Sequence, residues 1–139
     1  MYILKEWPSD FEVVQIRVAR PTNQLKEIKR FYVDGLGLKE IDSFENHEGY
    51  SGIMIGLPGA GYHLEFTEYE QIIPCSPPSK DNLLVFYMPN LQHILSKVEQ
   101  LNNMGFPCKE PENPFWNEKG YTIEDPDGWR IVLMNTSGI

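Results

Sequence analysis

The chain is short of cysteine, of basic residues and of long apolar runs, and each shortage excludes something. Its two cysteines, Cys75 and Cys108, stand far apart, with no Cys-x-x-Cys spacing and no histidine beside either in a metal-ligand pattern. That rules out a zinc ribbon or a dithiol redox centre and leaves two free thiols in a reducing compartment. Twelve Lys and Arg face 20 Asp and Glu, for a formal net charge of −8. Nucleic acid is therefore not the expected partner, because phosphate binding rests on clustered cations. An acidic surface instead tolerates or attracts cationic ligands. No stretch approaches the ~20 apolar residues of a membrane span. The opening MYILKEWPSD also lacks the basic start and long apolar core of a secretory signal. No membrane association is expected, and a cytoplasmic location follows. Nucleophile signatures are missing too: there is no Gly-x-Ser-x-Gly, no paired Cys and His, and no phosphate-cradling glycine loop. The Gly-Leu-Gly at 35–37 ends a helical pattern instead of opening one, so it is no dinucleotide fingerprint.

What is present suits one compact domain with a core of its own, 139 residues long. After an irregular start, FEVVQIRVAR (11–20) alternates in the manner of a half-buried strand. Leu25, Ile28, Phe31 and Tyr32 then recur at helical spacing until the glycines of GLGL stop the helix. Strand-like segments follow at 38–44, 50–58 and 62–68, separated by the turn-formers NHEG and GAG. The proline-rich IIPCSPPSKD can continue neither a helix nor a central strand and reads as a linker over 72–80. Beyond it, NLLVFYM (82–88) looks like a buried strand, and Leu91, Ile94, Leu95, Val98 and Leu101 form one helical stripe. Gly105 stops that helix, and an extended stretch, YTIE (121–124), the turn DPDG and RIVLMN (130–135) complete the chain.

The second half thus repeats the first. Gly61-Tyr62-His63-Leu64-Glu65-Phe66 overlays without gaps on Gly128-Trp129-Arg130-Ile131-Val132-Leu133, apolar on apolar. Two copies of so long a unit are a duplicated module and not a solenoid. The expected architecture is α+β: two βαβββ modules, about 11–70 and 81–136, forming a cupped, incomplete barrel-like sheet with the helices outside.

In the segment GYHLEFTE, strand alternation sends Tyr62, Leu64 and Phe66 to the helix side and His63 and Glu65 to the other face. By the same parity Val14, Ile16 and Val18 pack on the helix, while Gln15, Arg17 and Ala19 face the cavity. Three readings of Glu65 stay open: a solvated carboxylate, a pocket residue facing a ligand, and a metal ligand. His63 is either a structural partner of Glu65, joined to it by a hydrogen bond, or part of a ligand site. Arg17 inside a cavity needs a carboxylate or a bound anion to offset its desolvation, and Glu65 is the obvious partner. Tyr50, Phe115, Trp116 and Tyr121 either plug the core or stack on a planar or cationic ligand at the cavity mouth. His47 and His93 read as surface residues.

FYVDGLGLKE after an amphipathic helix, YHLEF in a fourth strand and EDPDGWRIVL near the end resemble the vicinal oxygen chelate superfamily of glyoxalases, extradiol dioxygenases and fosfomycin- and bleomycin-resistance proteins. The likeness spans roughly residues 11–135. It implies a small-molecule cavity and, commonly, a closed dimer. In metal-dependent members the ligands come from the first and last strand of each module. Transferred to this chain they fall on Gln15 and Glu65 in module one, but on Asn82 or Leu83 and on Val132 in module two. Two oxygen donors fall short of the roughly three protein ligands of a catalytic divalent site, so a divalent metal at Gln15 and Glu65 is the alternative and no cofactor the expectation. The resemblance therefore implies a metal-independent binding protein that sequesters a cationic or aromatic compound through Gln15, Arg17, Tyr50, His63, Glu65, Phe115, Trp116 and Tyr121. The alternative is a lyase, isomerase or dioxygenase-type enzyme acting on a small carbonyl or enol, with Glu65 as general base and Arg17 or His63 steadying an oxyanion.

Overall fold

The computed structural model describes residues 10–139, so the opening MYILKEWPS, expected to be irregular, lies outside the described residues. Module one comprises strand β1 (Ile16–Pro21), helix α1 (Leu25–Lys29), which runs on as a π-helical turn (Arg30–Gly35), and strands β2 (Lys39–His47), β3 (Tyr50–Gly56) and β4 (Tyr62–Tyr69). Module two comprises β5 (Leu83–Tyr87), α2 (Leu91–Asn103), a two-residue β6 (Cys108–Lys109), a 3-10 turn (Pro114–Asn117), β7 (Gly120–Glu124) and β8 (Arg130–Met134). The strand orders, β1-β4-β3-β2 and β5-β8-β7-β6, are the same, which makes the sequence repeat a repeat of topology. In each sheet the first and last strands run parallel. β6 is short because Pro107 and Pro111 bracket it, and neither has an N–H for the ladder.

Gly37, at φ +89°, closes the first helix with Leu38 N–H donating to the Tyr32 carbonyl, and Gly105, at φ +97°, closes the second. The Asn90 side chain caps α2 by accepting from the His93 N–H at 3.2 Å.

One core serves both modules. Ile28, Phe31 and Tyr32 of the first helix, Leu64 and Phe66 of β4, Ile94 and Leu101 of α2, and Ile131 and Leu133 of β8 belong to a single buried cluster. The helices meet so closely at Gly35 that an added Cβ would lie 2.5 Å from Leu101 Cδ2. Polar links reinforce the contact. Arg30 donates to the Met104 carbonyl at 3.1 Å, Gln24 to Asp127 at 2.7 Å, and the Tyr32 hydroxyl to Asp125 at 2.7 Å. Arg20 lies 4.0 Å from the centre of the Trp129 ring.

Three expectations need correction. The first strand starts at Ile16 and not at Phe11, because β4, its neighbour among the described residues, first offers a partner at Gly61, whose carbonyl accepts from Ile16 N–H. Val14, Ile16 and Val18 are exposed (88%, 49% and 37%) instead of packed on the helix. Ile16 and Val18 keep the expected parity, paired with Tyr62 and with buried Leu64, but β1 is an outer strand of its sheet. On α2, Leu91 and Leu95 are exposed, so the buried stripe is narrower than the periodicity suggests.

Candidate functional site

The face of the first sheet turned away from the core carries Arg17, Ile41, Met54, His63 and Glu65. The register dictates this: His63 is paired with Arg17 on one side and Gly56 on the other, and Glu65 with Ala19 and Met54. Gly56 makes room for His63, since a Cβ there would lie 3.1 Å from both His63 Cβ and Ile41 Cδ1. His63 is consequently buried, at 5% exposure, although it lies on the outer face of its sheet.

Arg17 joins the two residues that the sequence places on this face. Its Nε donates to His63 Nε2 at 2.8 Å and its Nη1 lies 3.4 Å from Glu65 Oε2. The expected direct bond between His63 and Glu65 is replaced by this bridge, while the expected Arg17–Glu65 pair is present. Because Nε2 accepts from a guanidinium that is always charged, the neutral ring carries its proton on Nδ1, and that buried atom has no hydrogen-bond partner among the described residues. Glu65 is 13% and Arg17 45% exposed in their side chains. The cluster therefore offers a ligand the unused guanidinium N–H groups and a carboxylate acceptor, beside the apolar Ile41 and Met54.

The donor set does not fit a catalytic divalent ion. Gln15 precedes Ile16, which pairs with Tyr62, so Gln15 is level with Gly61, four positions from Glu65, roughly 13 Å along the strand. The Arg17–His63 pair stands between them and repels a cation. Leu83 pairs with Arg130 as Arg17 pairs with His63, so the counterpart of Gln15 is Asp81 and not Asn82 or Leu83. The counterpart of Glu65, Val132, is fully buried. Among the described residues no group of three His, Cys, Asp or Glu could hold an ion.

The remaining predicted ligand residues are dispersed. Tyr50 lies at the far end of β3, stacked on Tyr69 at 4.6 Å. Phe115 and Trp116 pack edge to face on each other at 5.0 Å. Their turn lies over Gly120, where a Cβ would strike the Trp116 carbonyl and approach Val132 Cγ1 to 3.0 Å. This loop covers the second module's own sheet. Tyr121 packs against the core and lines a cavity of about 420 Å³ beside Cys108, Lys109 and Thr122. Burial pushes the Cys108 and Cys75 thiols up, with Asp127 and Glu68 adding to the effect at Cys75, so neither is an activated nucleophile.

Sequence reasoning missed Arg130, which overlays on His63. It is 4% exposed and held by Glu124 at 2.9 Å and by the Glu110 carbonyl at 2.9 Å. It also missed the role of DPDG. Asp125 accepts from the Asp127 and Trp129 N–H groups and from the Tyr32 hydroxyl. Burial raises its carboxyl above the ordinary value despite these bonds. Burial, then the Asp125 charge, raises Tyr32 well above its own.

Two copies of one βαβββ unit, with a polar cluster on the outer face of the first, define a glyoxalase/bleomycin-resistance-like protein of the vicinal oxygen chelate superfamily. Residues 16–67 match the YycE-like N-terminal domain and residues 81–135 the YycE-like C-terminal domain. The chain belongs to this YycE-like family. It is 55% identical over 131 residues, 94% of each chain, to the uncharacterised protein YycE of Bacillus subtilis strain 168. The crystal structure of a YycE protein from that species, of unknown function and grouped provisionally with glyoxalases and fosfomycin-resistance proteins, superimposes with a TM-score of 0.90 at 54% identity, over 96% of this chain and 98% of that one. The trypanothione-dependent glyoxalase I of Leishmania major shares the fold at a TM-score of 0.67 and 17% identity, over 91% and 87% of the two chains. So does TnmS3, an antibiotic-binding protein from Streptomyces sp. CB03234, at 0.65 and 21%, over 91% and 98%.

Proposed function

We propose that this is a cytoplasmic, metal-independent binding protein that sequesters a small aromatic or cationic compound on the face carrying Arg17, His63 and Glu65. The observation that supports it is the guanidinium bridge. Arg17 fixes the tautomer of His63 and partly neutralises Glu65, giving a preorganised donor–acceptor set beside the apolar Ile41 and Met54. A planar compound with polar substituents uses both, and a cationic substituent meets Glu65. The fold shared with an antibiotic-binding protein is in keeping with this reading. A second copy closes the open face. Within one chain the modules meet through their helices, and among the described residues β1 and β5 are outer strands whose outward edges have no strand partner.

Calorimetric titration against a panel of aromatic and cationic antibiotics tests the binding. A saturable heat that survives chelator and falls at least tenfold in both Arg17→Ala and Glu65→Gln is expected. Silence across the panel, or binding abolished by chelator and restored by a divalent ion, overturns the reading. Light scattering giving twice the chain mass is expected for the closed form.

General-base catalysis on a small carbonyl compound is the competing reading, favoured by one feature: Glu65 keeps oxygen lone pairs free beside the N–H donors of Arg17. Turnover of an enolisable aldehyde that disappears in Glu65→Gln would select it.

A further inference from the structure

The two modules leave a small apolar cavity where they meet on the helix side, of about 180 Å³. Leu36, Leu38 and Leu57 line it from module one; Phe86, Met88 and Leu133 line it from module two. One charge stands at its rim. Lys97 of α2 donates to the Leu36 carbonyl at 2.7 Å, which accounts for one of its three N–H groups. Among the described residues no carboxylate lies within salt-bridge distance of it. Among the described residues no other Lys or Arg lines this cavity; the adjoining depression, lined by Met88, His93, Ser96 and Lys97, adds only a histidine and a hydroxyl. An ammonium without a counter-ion, at the mouth of an apolar hollow, is complementary to a molecule with an apolar body and an anionic head.

We infer that this hollow is a second ligand site, separate from the Arg17 face, and that it takes a small monocarboxylate whose body is an aromatic ring or a short aliphatic chain. The volume sets the size: roughly that of a benzoate, with no room for a drug-sized ligand. The ring lies among Leu36, Leu38, Phe86 and Leu133, and the carboxylate accepts from the two free N–H groups of Lys97. Leu57, about half exposed, is the side chain over the entrance. The site draws on both modules, so its occupation ties them together.

Methyl NMR of the full chain, titrated in parallel with benzoate and with benzyl alcohol, tests the site. Saturable shifts confined to the Leu36, Leu38, Leu57, Met88 and Leu133 methyls are expected, with benzoate binding about tenfold or more tighter than the alcohol. In Lys97→Met that preference should collapse while the alcohol binds as before. In Leu57→Trp, a substitution at an exposed rim position, both ligands should be shut out. If Lys97 serves only to cap the Leu36 carbonyl, its replacement lowers stability without touching selectivity. Should Lys97→Met fail to fold, the wild-type comparison and Leu57→Trp still decide. Absence of saturable shifts, equal affinity for acid and alcohol, a preference that persists without Lys97, or unaltered binding in Leu57→Trp would each overturn the assignment.

Discussion

Replacing Tyr32 by Phe removes one oxygen and leaves the ring packing of a fully buried residue in place, so its effect isolates the bond to Asp125. That bond is 2.7 Å long and buried. With Asp125 ionised, a hydrogen bond to a charged, desolvated acceptor is worth about 2 kcal/mol; with Asp125 protonated, a neutral bond is worth about 1 kcal/mol. The direction with pH follows from the carboxyl's raised position. The native state holds the Asp125 proton to a higher pH than the unfolded chain does. Its contribution to stability is therefore fully present below the unfolded value of about 3.9 and declines as pH rises through the native one. The Tyr32 bond favours the charged form and limits that decline. In Tyr32→Phe the native carboxyl should titrate higher still and the decline steepen. Paired urea denaturations, followed by tryptophan fluorescence at about pH 4 and about pH 8, should show the penalty growing from about 1 to about 2 kcal/mol. A penalty independent of pH, or a Phe variant as stable as the parent at about pH 8, would refute the argument.

Gly35→Ala sets two effects against each other. Helix propensity favours Ala by about 1 kcal/mol, but the Cβ would press on Leu101, and overpacking costs about 1–3 kcal/mol; net destabilisation is expected, reversing to a gain in a Leu101→Ala background, as chemical denaturation of the double-mutant cycle will show. Val132→Glu, which gives module two the acid that module one has at Glu65, would bury an unpaired carboxylate beneath the Trp116 turn. A loss of about 3 kcal/mol or more is expected, read as a lowered Tm, and an unchanged Tm would mean that the turn does not cover Val132. Glu124→Gln weakens the grip on buried Arg130 and should cost about 1–3 kcal/mol, whereas Glu48→Gln, in an exposed pair with His47, should leave denaturation midpoints unchanged.

The order of elements and the internal repeat were legible because their signals are local: helical spacing up to Tyr32, glycines at positive φ after each helix, and strict alternation in YHLEF. The same alternation placed His63 and Glu65 on one face. Their connection was not legible. Two residues apart on one strand, they are separated by roughly 6.5 Å, whereas Arg17 sits beside His63 in the register, and cross-strand neighbours lie closer than i and i+2. The exposure of Ile16 and Val18 also escaped prediction, since alternation reveals which face a residue takes and not whether anything covers that face. Asp125 read as a turn residue because its partner, Tyr32, is remote in sequence, and nothing in the pattern of either segment announces the other.

The bond between Tyr32 and Asp125 has a consequence for the order of folding. The first helix is synthesised long before the turn that accepts its hydroxyl, and until Asp125 emerges that buried oxygen has no place to donate. Neither half is then a finished unit by itself, and the two should consolidate in one late step instead of one after the other. A chain truncated after Met88 should accordingly show little hydrogen-exchange protection at Ile28–Leu38, and strong protection there would mean that the first half stands alone.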